Sequence, residues 1–275
     1  MAAARKTKNS TPTPAERQEK KKLRRGVILL TVLFILLVAL GVAMWWLKHR
    51  MFEKNPRFTL KHIQVESSGY WGKDVLRRNA LIRKLDLHAG QQNLFDLDLR
   101  KLRMQLKSLP NVADAQVCTQ LPDTLLINIE ERIPRAFLGR PNSRLVVDAN
   151  AMVMNARECF GVHPRMPVIV GMPHRSMRPG VIHPALREAL NLIMSVQRYD
   201  CFSVALVNLS RNGELFVLMD YRHNSQIRRY HVTMLTGNYQ ESLDILRSAI
   251  EDALRHGDDR TKINMSFKNQ VVMSR

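Results

Sequence analysis

The chain has little of what covalent cross-linking and catalysis require. Its three cysteines, Cys118, Cys159 and Cys201, are an odd set without metal-ligand spacing, which excludes a disulfide framework. Cys159 and Cys201 are the one pair considered for an oxidising compartment, and unpaired thiols are expected. There is no Gly-Lys-Ser/Thr phosphate loop, no Gly-x-Ser-x-Gly elbow and no His-Glu-x-x-His, so the side chains of those nucleotide, hydrolase and zinc chemistries are missing. Carboxylates stand together at Glu130/Glu131, Asp96/Asp98, Glu251/Asp252 and Asp258/Asp259. Neighbours on a strand point to opposite faces, an Asp before a helix is a cap, and the other pairs fit a helix surface and a loop. The nine histidines, His163, His174 and His183 among them, lack ligand spacing. No catalytic residue, no cofactor and no metal is expected, and the reading is of a protein that is not an enzyme.

Charge is absent from one stretch, Val27 to Leu47, which runs for 21 residues without an ionisable side chain. A helix of that length crosses a hydrocarbon layer about 30 Å thick, and Trp45 and Trp46 suit the interface at its end. A single transmembrane anchor from Val27 to Leu47 is expected. Residues 1–25 hold nine Lys or Arg against Glu16 and Glu19, whereas residues 48–67 hold five basic residues. That bias keeps the N-terminus in the cytoplasm. A cleaved signal peptide is the rival reading, with Gly41-Val42-Ala43 as its cleavage site. The 25-residue basic leader and the length of the apolar run oppose it.

The net charge of +19 raises the question of nucleic acid, but +7 of it lies in the tail, where orientation and anionic lipid account for it. The rest, 34 basic against 22 acidic residues, is spread along the chain with no stacking pattern of aromatics. It reads as a solvated surface with no nucleic-acid partner. Residues 1–26, with Thr11-Pro12-Thr13-Pro14 and a charge run, are expected to be disordered, and residues 48–56 to be a linker.

The 228 residues after the apolar run suffice for two modest domains. The first reads strand, helix, helix, strand, strand. Phe58, Leu60, Ile63 and Val65 give an extended segment with a phase slip. Asp74 precedes a helical stripe of Val75, Leu76, Ala80, Leu81 and Leu85. Asp96 or Asp98 caps a second helix with Leu99, Leu102, Leu106 and Leu109 on one side. Ala113, Ala115 and Val117, then Leu125, Ile127 and Ile129, alternate as half-buried strands around the turn Leu121-Pro122-Asp123-Thr124. Two helices on one face of three strands leave the other face or an edge free.

From Ile133 the pattern is strand-rich. Arg144 to Asp148 and Ala149 to Met154 read as a hairpin. Pro184 opens a helix with Leu186, Ala189, Leu190 and Ile193. Phe202 to Leu209 and Glu214 to Met219 are strands joined at Asn212-Gly213. A last helix aligns Leu243, Leu246, Ile250 and Leu254 and ends at Gly257. The segment Lys262 to Met273 reads as one terminal strand, with Ile263, Met265 and Phe267 alternating with Asn264, Ser266 and Lys268.

An ordered set of fragments resembles a known family. Phe58 to Val65, Gly90-Gln91-Gln92-Asn93-Leu94-Phe95-Asp96-Leu97-Asp98, Leu109-Pro110-Asn111-Val112-Ala113-Asp114-Ala115 and Leu121 to Ile127, closing on Glu130-Glu131-Arg132-Ile133-Pro134-Arg135-Ala136, look like the POTRA domain of the bacterial cell-division family FtsQ/DivIB. The single anchor and the second, strand-rich domain resemble that family too. In the hairpin after Arg144, Ala151 stands where the family has Gly. The resemblance implies an α+β protein: residues 57–132 as the βααββ POTRA-like domain and 133–275 as a C-terminal β-domain ending in an edge strand. It implies a scaffold of the divisome in the cell inner membrane at the division septum, with both domains periplasmic. The terminal strand would hold FtsB/FtsL-like partners by strand addition, with Phe267, Asn269, Val271 and Met273 on the contacting stretch, and the POTRA-like unit would meet other divisome proteins. The alternative is a POTRA-bearing transport or outer-membrane assembly factor, which a single such unit and the absence of a following barrel pattern oppose.

Overall fold

The computed structural model describes residues 14–48, 55–173, 177–211, 213–224, 226–267 and 270–274. Its first element, α1 (Pro14–Lys48), is 35 residues long. The window Leu30–Leu47 is long and apolar enough to cross a membrane, and none of it is buried against the rest of the protein. The expectation of disorder over residues 1–26 is corrected for residues 14–26, which are helical. Pro14 suits a first helical position, and Ala15 to Arg25 are almost all strong helix formers with no Gly or Pro, so the apolar helix propagates backwards through them. Residues 1–13 lie outside the described residues.

A 3-10 turn at Pro56–Phe58 leads into β1 (His62–Glu66), α2 (Val75–Lys84), α3 (Leu99–Lys107), β2 (Val112–Gln120) and β3 (Thr124–Glu131). The strands lie in the order β1-β3-β2, with β1 parallel and β2 antiparallel to β3. The phase slip before Ile63 is the 3-10 turn and a lone bridge from Thr59 to Asn93 ahead of β1. Asp74 caps α2 by accepting from Leu76 N at 2.9 Å, and Asp98, not Asp96, caps α3 through Lys101 N. The helices and the inner face of the sheet enclose one core built on Leu60, Leu81, Leu106, Leu125 and Ile127. One part of the expected stripe on α2 is corrected. Leu81 and Leu85 are buried, but Val75, Leu76 and Ala80 face solvent. The reason is helical phase: at 3.6 residues per turn Leu76 stands about 140° round the helix from Leu81 and about 180° from Leu85, on the solvent side.

Glu131 fastens the loop after β1. Its carboxylate accepts from Tyr70 N at 2.6 Å and Trp71 N at 2.8 Å, and from the Ser67 hydroxyl. At Gly72 a Cβ would strike the Ser67 carbonyl oxygen, so the loop closes only with glycine there.

The second unit comprises β4 (Pro134–Leu138), β5 (Leu145–Asp148), β6 (Val153–Asn155), β7 (Val168–Val170), α4 (Arg187–Val196), β8 (Phe202–Arg211), β9 (Glu214–His223), β10 (Gln226–Leu235), α5 (Tyr239–Arg255), β11 (Lys262–Met265) and β12 (Val272–Ser274). Among the described residues these strands form one nine-stranded sheet in the order β12-β11-β10-β9-β8-β7-β4-β5-β6. Residues of α4 and α5, among them Leu190, Ile193, Leu243, Leu246 and Ile250, share one large core with the strands. Strand β10 has no counterpart in the sequence reading. Its first half carries Arg228 and Arg229 and is exposed, so only Tyr230, Val232 and Met234 show the buried alternation. The turn between β8 and β9 has Gly213 at φ 81°, while Asn212 lies outside the described residues. Ala151 adopts φ 63° and is fully buried, so it takes the left-handed conformation that the usual glycine supplies freely. All three cysteines are free thiols.

The two units meet at a polar seam. Arg132, just after β3, donates to Asp148 at 2.7 Å and to the Val112 carbonyl at 3.0 Å. Asp148 also accepts from Asn150 N and Met152 N, which shapes the β5–β6 turn. Asn111 is buried and donates to the Glu158 carbonyl at 2.7 Å, and Lys73 stands 4.0 Å over the Phe160 ring.

Candidate partner-binding edge

The C-terminal end of the large sheet is assembled by a crossover. Strands β10 and β11 are parallel, with His231 opposite Lys262 and Met234 opposite Met265. Parallel neighbours need a covering connection. Helix α5 supplies it, with Tyr239, Leu243, Leu246, Ile250 and Ala253 turned inward. After β11 the chain reverses. Asn264 Oδ1 accepts from Ser266 N at 2.9 Å, and Gln270 N donates back to the Phe267 carbonyl. Strand β12 then runs antiparallel to β11, with Ile263 opposite Met273 and Asn264 opposite Val272.

The expected single strand from Lys262 to Met273 is therefore corrected: it is a hairpin. The physical reason is local, because the Asn264 side chain captures the backbone two residues on and ends the extended run. The inner strand of this hairpin is bonded on both sides, and the outermost strand of the sheet is β12. Phe267 lies just past β11 and is 54% exposed. Val271 and Met273 are half-buried and pack against the main core, while Val272 between them is exposed on the opposite face. Asn269 lies outside the described residues. Among the described residues no strand pairs with the outer side of β12. The edge is held from within: the Asp258 carboxylate takes Arg260 Nε at 2.7 Å, and Arg260 Nη1 donates to the Met273 carbonyl at 3.0 Å. Hydrogen bonding to Asp258 raises the Arg260 pKa still further, so this clamp stays charged. The terminal segment is legible in the sequence, whereas Arg260 and Asp258 are not, because a spacing of two residues in a charged loop carries no signal of its own.

Elsewhere the chemistry is quiet. A cleft at the β9–β10 turn is lined by Tyr221, His223, Gln226, Arg228, Glu251 and Arg255. Burial and then the Glu251 charge push the Tyr221 phenol up to about 12, which makes it a poor base at neutral pH. Burial likewise pushes the Cys159 thiol up to about 12, so it is not a ready nucleophile. Among the described residues no three His, Cys, Asp or Glu are placed to hold a metal ion.

A membrane-length helix, a small βααββ unit and a large sheet ending in an unpaired strand define the class: an anchored protein that presents sheet surfaces. Residues 58–132 match the family model described as the POTRA domain, FtsQ-type. The chain is 21% identical to the cell division protein DivIB of Clostridium tetani over 232 residues, 80% of either chain. It is 38% identical to the FtsQ of Novosphingobium aromaticivorans over 92 residues, 33% of this chain and 27% of that one. It is 30% identical to the FtsQ of Syntrophotalea carbinolica over 131 residues, 48% and 44% of the two chains. The match to these two FtsQ proteins thus spans less than half of their length, whereas the DivIB match covers 80% of both chains. The chain is a relative of the FtsQ/DivIB cell-division proteins, with an FtsQ-type POTRA domain at residues 58–132. Its first element, α1, contains a window long and apolar enough to anchor the chain in a membrane.

Proposed function

We propose that the protein is a non-catalytic scaffold of the divisome that spans the inner membrane once. Its N-terminus lies in the cytoplasm, both domains lie in the periplasm, and it acts at the septum. Strand addition to β12 recruits an FtsB/FtsL-like pair, and the POTRA unit meets other division proteins. The observation that carries this reading is the outer side of β12. A terminal strand closes a nine-stranded sheet and leaves its outward amide and carbonyl groups without a strand partner among the described residues. Such an edge accepts an extended peptide through main-chain hydrogen bonds. Phe267 and Val272 offer exposed apolar contacts there, and Val271 and Met273 fix the strand to the core. Confinement in the membrane raises the effective concentration of partners, so individually weak contacts suffice.

The test is capture of the division partner by the full chain carrying Asn269→Pro or Val271→Asp. Partner capture should be lost from a chain that still folds. Retention at the wild-type level would remove this edge from the mechanism.

A further inference from the structure

The POTRA unit is electrically two-faced. Helices α2 and α3 contain eight Lys or Arg and no Asp or Glu, whereas β1, β2 and β3 contain four Asp or Glu and no Lys or Arg. The loop joining the helices adds Asp86, Asp96 and Asp98, which leaves the helical side strongly basic. The sign change runs from one layer of the domain to the other, because the helices cover only one face of the sheet.

Part of the basic charge is committed. Arg77 pairs with Asp74, and Arg103 and Lys107 reach Asp114 at 3.2 and 3.0 Å. Arg83, Lys84, Arg100 and Lys101 are exposed. Arg83 and Lys84 end α2 and Arg100 and Lys101 begin α3, so these four cations flank the loop between the helices. On the same two helices stand Leu76, 75% exposed, and Met104, 68% exposed. Both are at least as exposed as any large apolar side chain of the membrane-length window, where the highest value is 67%. Cations without an ion-pair partner among the described residues and unburied apolar side chains on the same pair of helices are the composition of a surface that lies at a charged lipid interface.

The tether brings this surface to such an interface. From Lys48, the end of α1, to Asn55 is seven residue steps, at most about 25 Å of extended chain. The chain enters the POTRA unit beside the loop between the two helices. There Leu94 N donates to the Phe58 carbonyl at 2.9 Å, Asn93 Nδ2 reaches the Asn55 carbonyl, and the Phe58 and Phe95 rings meet edge-on at 5.0 Å.

We propose that the α2–α3 face of the POTRA unit rests on an anionic phospholipid surface, with Arg83, Lys84, Arg100 and Lys101 against headgroup phosphates and Leu76 and Met104 among the headgroups. This rests on α1 being a membrane anchor. The strand face, where Glu66 and Glu130 are exposed, then points away from the bilayer, so lipid charge orients the domain as well as holding it. The contact weakens with ionic strength, since the Debye length at physiological salt is only about 8 Å.

The experiment uses the full chain in vesicles of phosphatidylcholine with or without phosphatidylglycerol. A photoreactive benzoylphenylalanine replaces Leu76, Met104, Asn128 on the strand face or Phe34 in α1. With phosphatidylglycerol, positions 76 and 104 should form lipid adducts and position 128 should not. Charge reversal of Lys84 and Arg100 together should lower the adducts at 76 by at least about tenfold, given about fivefold for each cation near an anionic surface. Adducts at 34 but equal yields at 76 and 128, or yields at 76 indifferent to phosphatidylglycerol, would overturn the proposal. In cells, adducts at 76 to a protein and none to lipid would overturn it too, marking the face as a protein interface. Absence of adducts at 34 would instead refute the anchor reading on which it rests.

Discussion

Replacing Arg132 by Met tests whether the two extramembrane units act as one body. Arg132 and Asp148 are 16% and 5% exposed, and their contact is 2.7 Å. Removing the guanidinium strands a carboxylate that water barely reaches. Breaking a buried pair in this way costs about 3–5 kcal/mol. Asp148 keeps its bonds from Asn150 N and Met152 N, so the low end, about 3 kcal/mol, is the expected loss. For an ordered region of this size that is a fall of about 6–12 °C in the unfolding midpoint. The assay is thermal unfolding of the detergent-solubilised chain followed by circular dichroism, repeated on an Asp148→Asn background. There the same Arg132→Met change should cost only about 1 kcal/mol, the value of the remaining bond to the Val112 carbonyl. A midpoint shift under 2 °C in the first background, or equal shifts in both, would refute the argument.

Four further outcomes follow from the same geometry. Asp114 should titrate at about 2 and not at 3.8, because Lys107 hydrogen-bonds it, helped by Ala115 N and Arg103. Its depressed value stabilises the fold above the ordinary carboxylate range, a contribution lost as pH falls towards 2; Lys107→Met should move the carboxyl resonance midpoint upward. Gly72→Ala should destabilise the POTRA unit measurably in urea unfolding, since its Cβ would strike the Ser67 backbone. Ala151→Val should cost more than about 2 kcal/mol, as a β-branched residue is forced to positive φ in a filled site, whereas Ala151→Gly should lie within about 1 kcal/mol of the parent. Arg260→Met should weaken capture of the FtsB/FtsL-like pair and lower the unfolding midpoint only modestly, because it removes the hold on the Met273 carbonyl and the pair with Asp258 from a half-exposed arginine.

The parts of the fold that are local in sequence were legible in it. The caps at Asp74 and Asp98, the stripe of Leu102, Leu106 and Leu109, the alternation of Leu125, Ile127 and Ile129 and the pattern on α5 all follow from periods that one element imposes on itself. What failed depends on neighbours distant in the chain. Leu76 is apolar but stands about 180° round α2 from the buried Leu85, so counting apolar residues without their phase misplaces it. Strand β10 hides because its first half pairs with β9 while facing solvent, so Arg228 and Arg229 mask the period. The terminal run alternates correctly through Phe267, yet a hydrogen bond from Ser266 N to Asn264 folds it into a hairpin, which moves the edge from β11 to β12. The seam of Arg132, Asn111, Asp148 and Glu158 joins residues up to 47 apart, and no single-chain period announces it.

The central claim is that β12 accepts a partner strand. Amide hydrogen exchange of the full chain, measured with and without the FtsB/FtsL-like pair, addresses it directly. The account predicts that the amides of Val271 to Ser274 slow by at least about tenfold on binding, as edge groups become bonded on both sides. Partner binding with unchanged exchange at β12, and protection arising only on the POTRA unit or the open face of the large sheet, would contradict it.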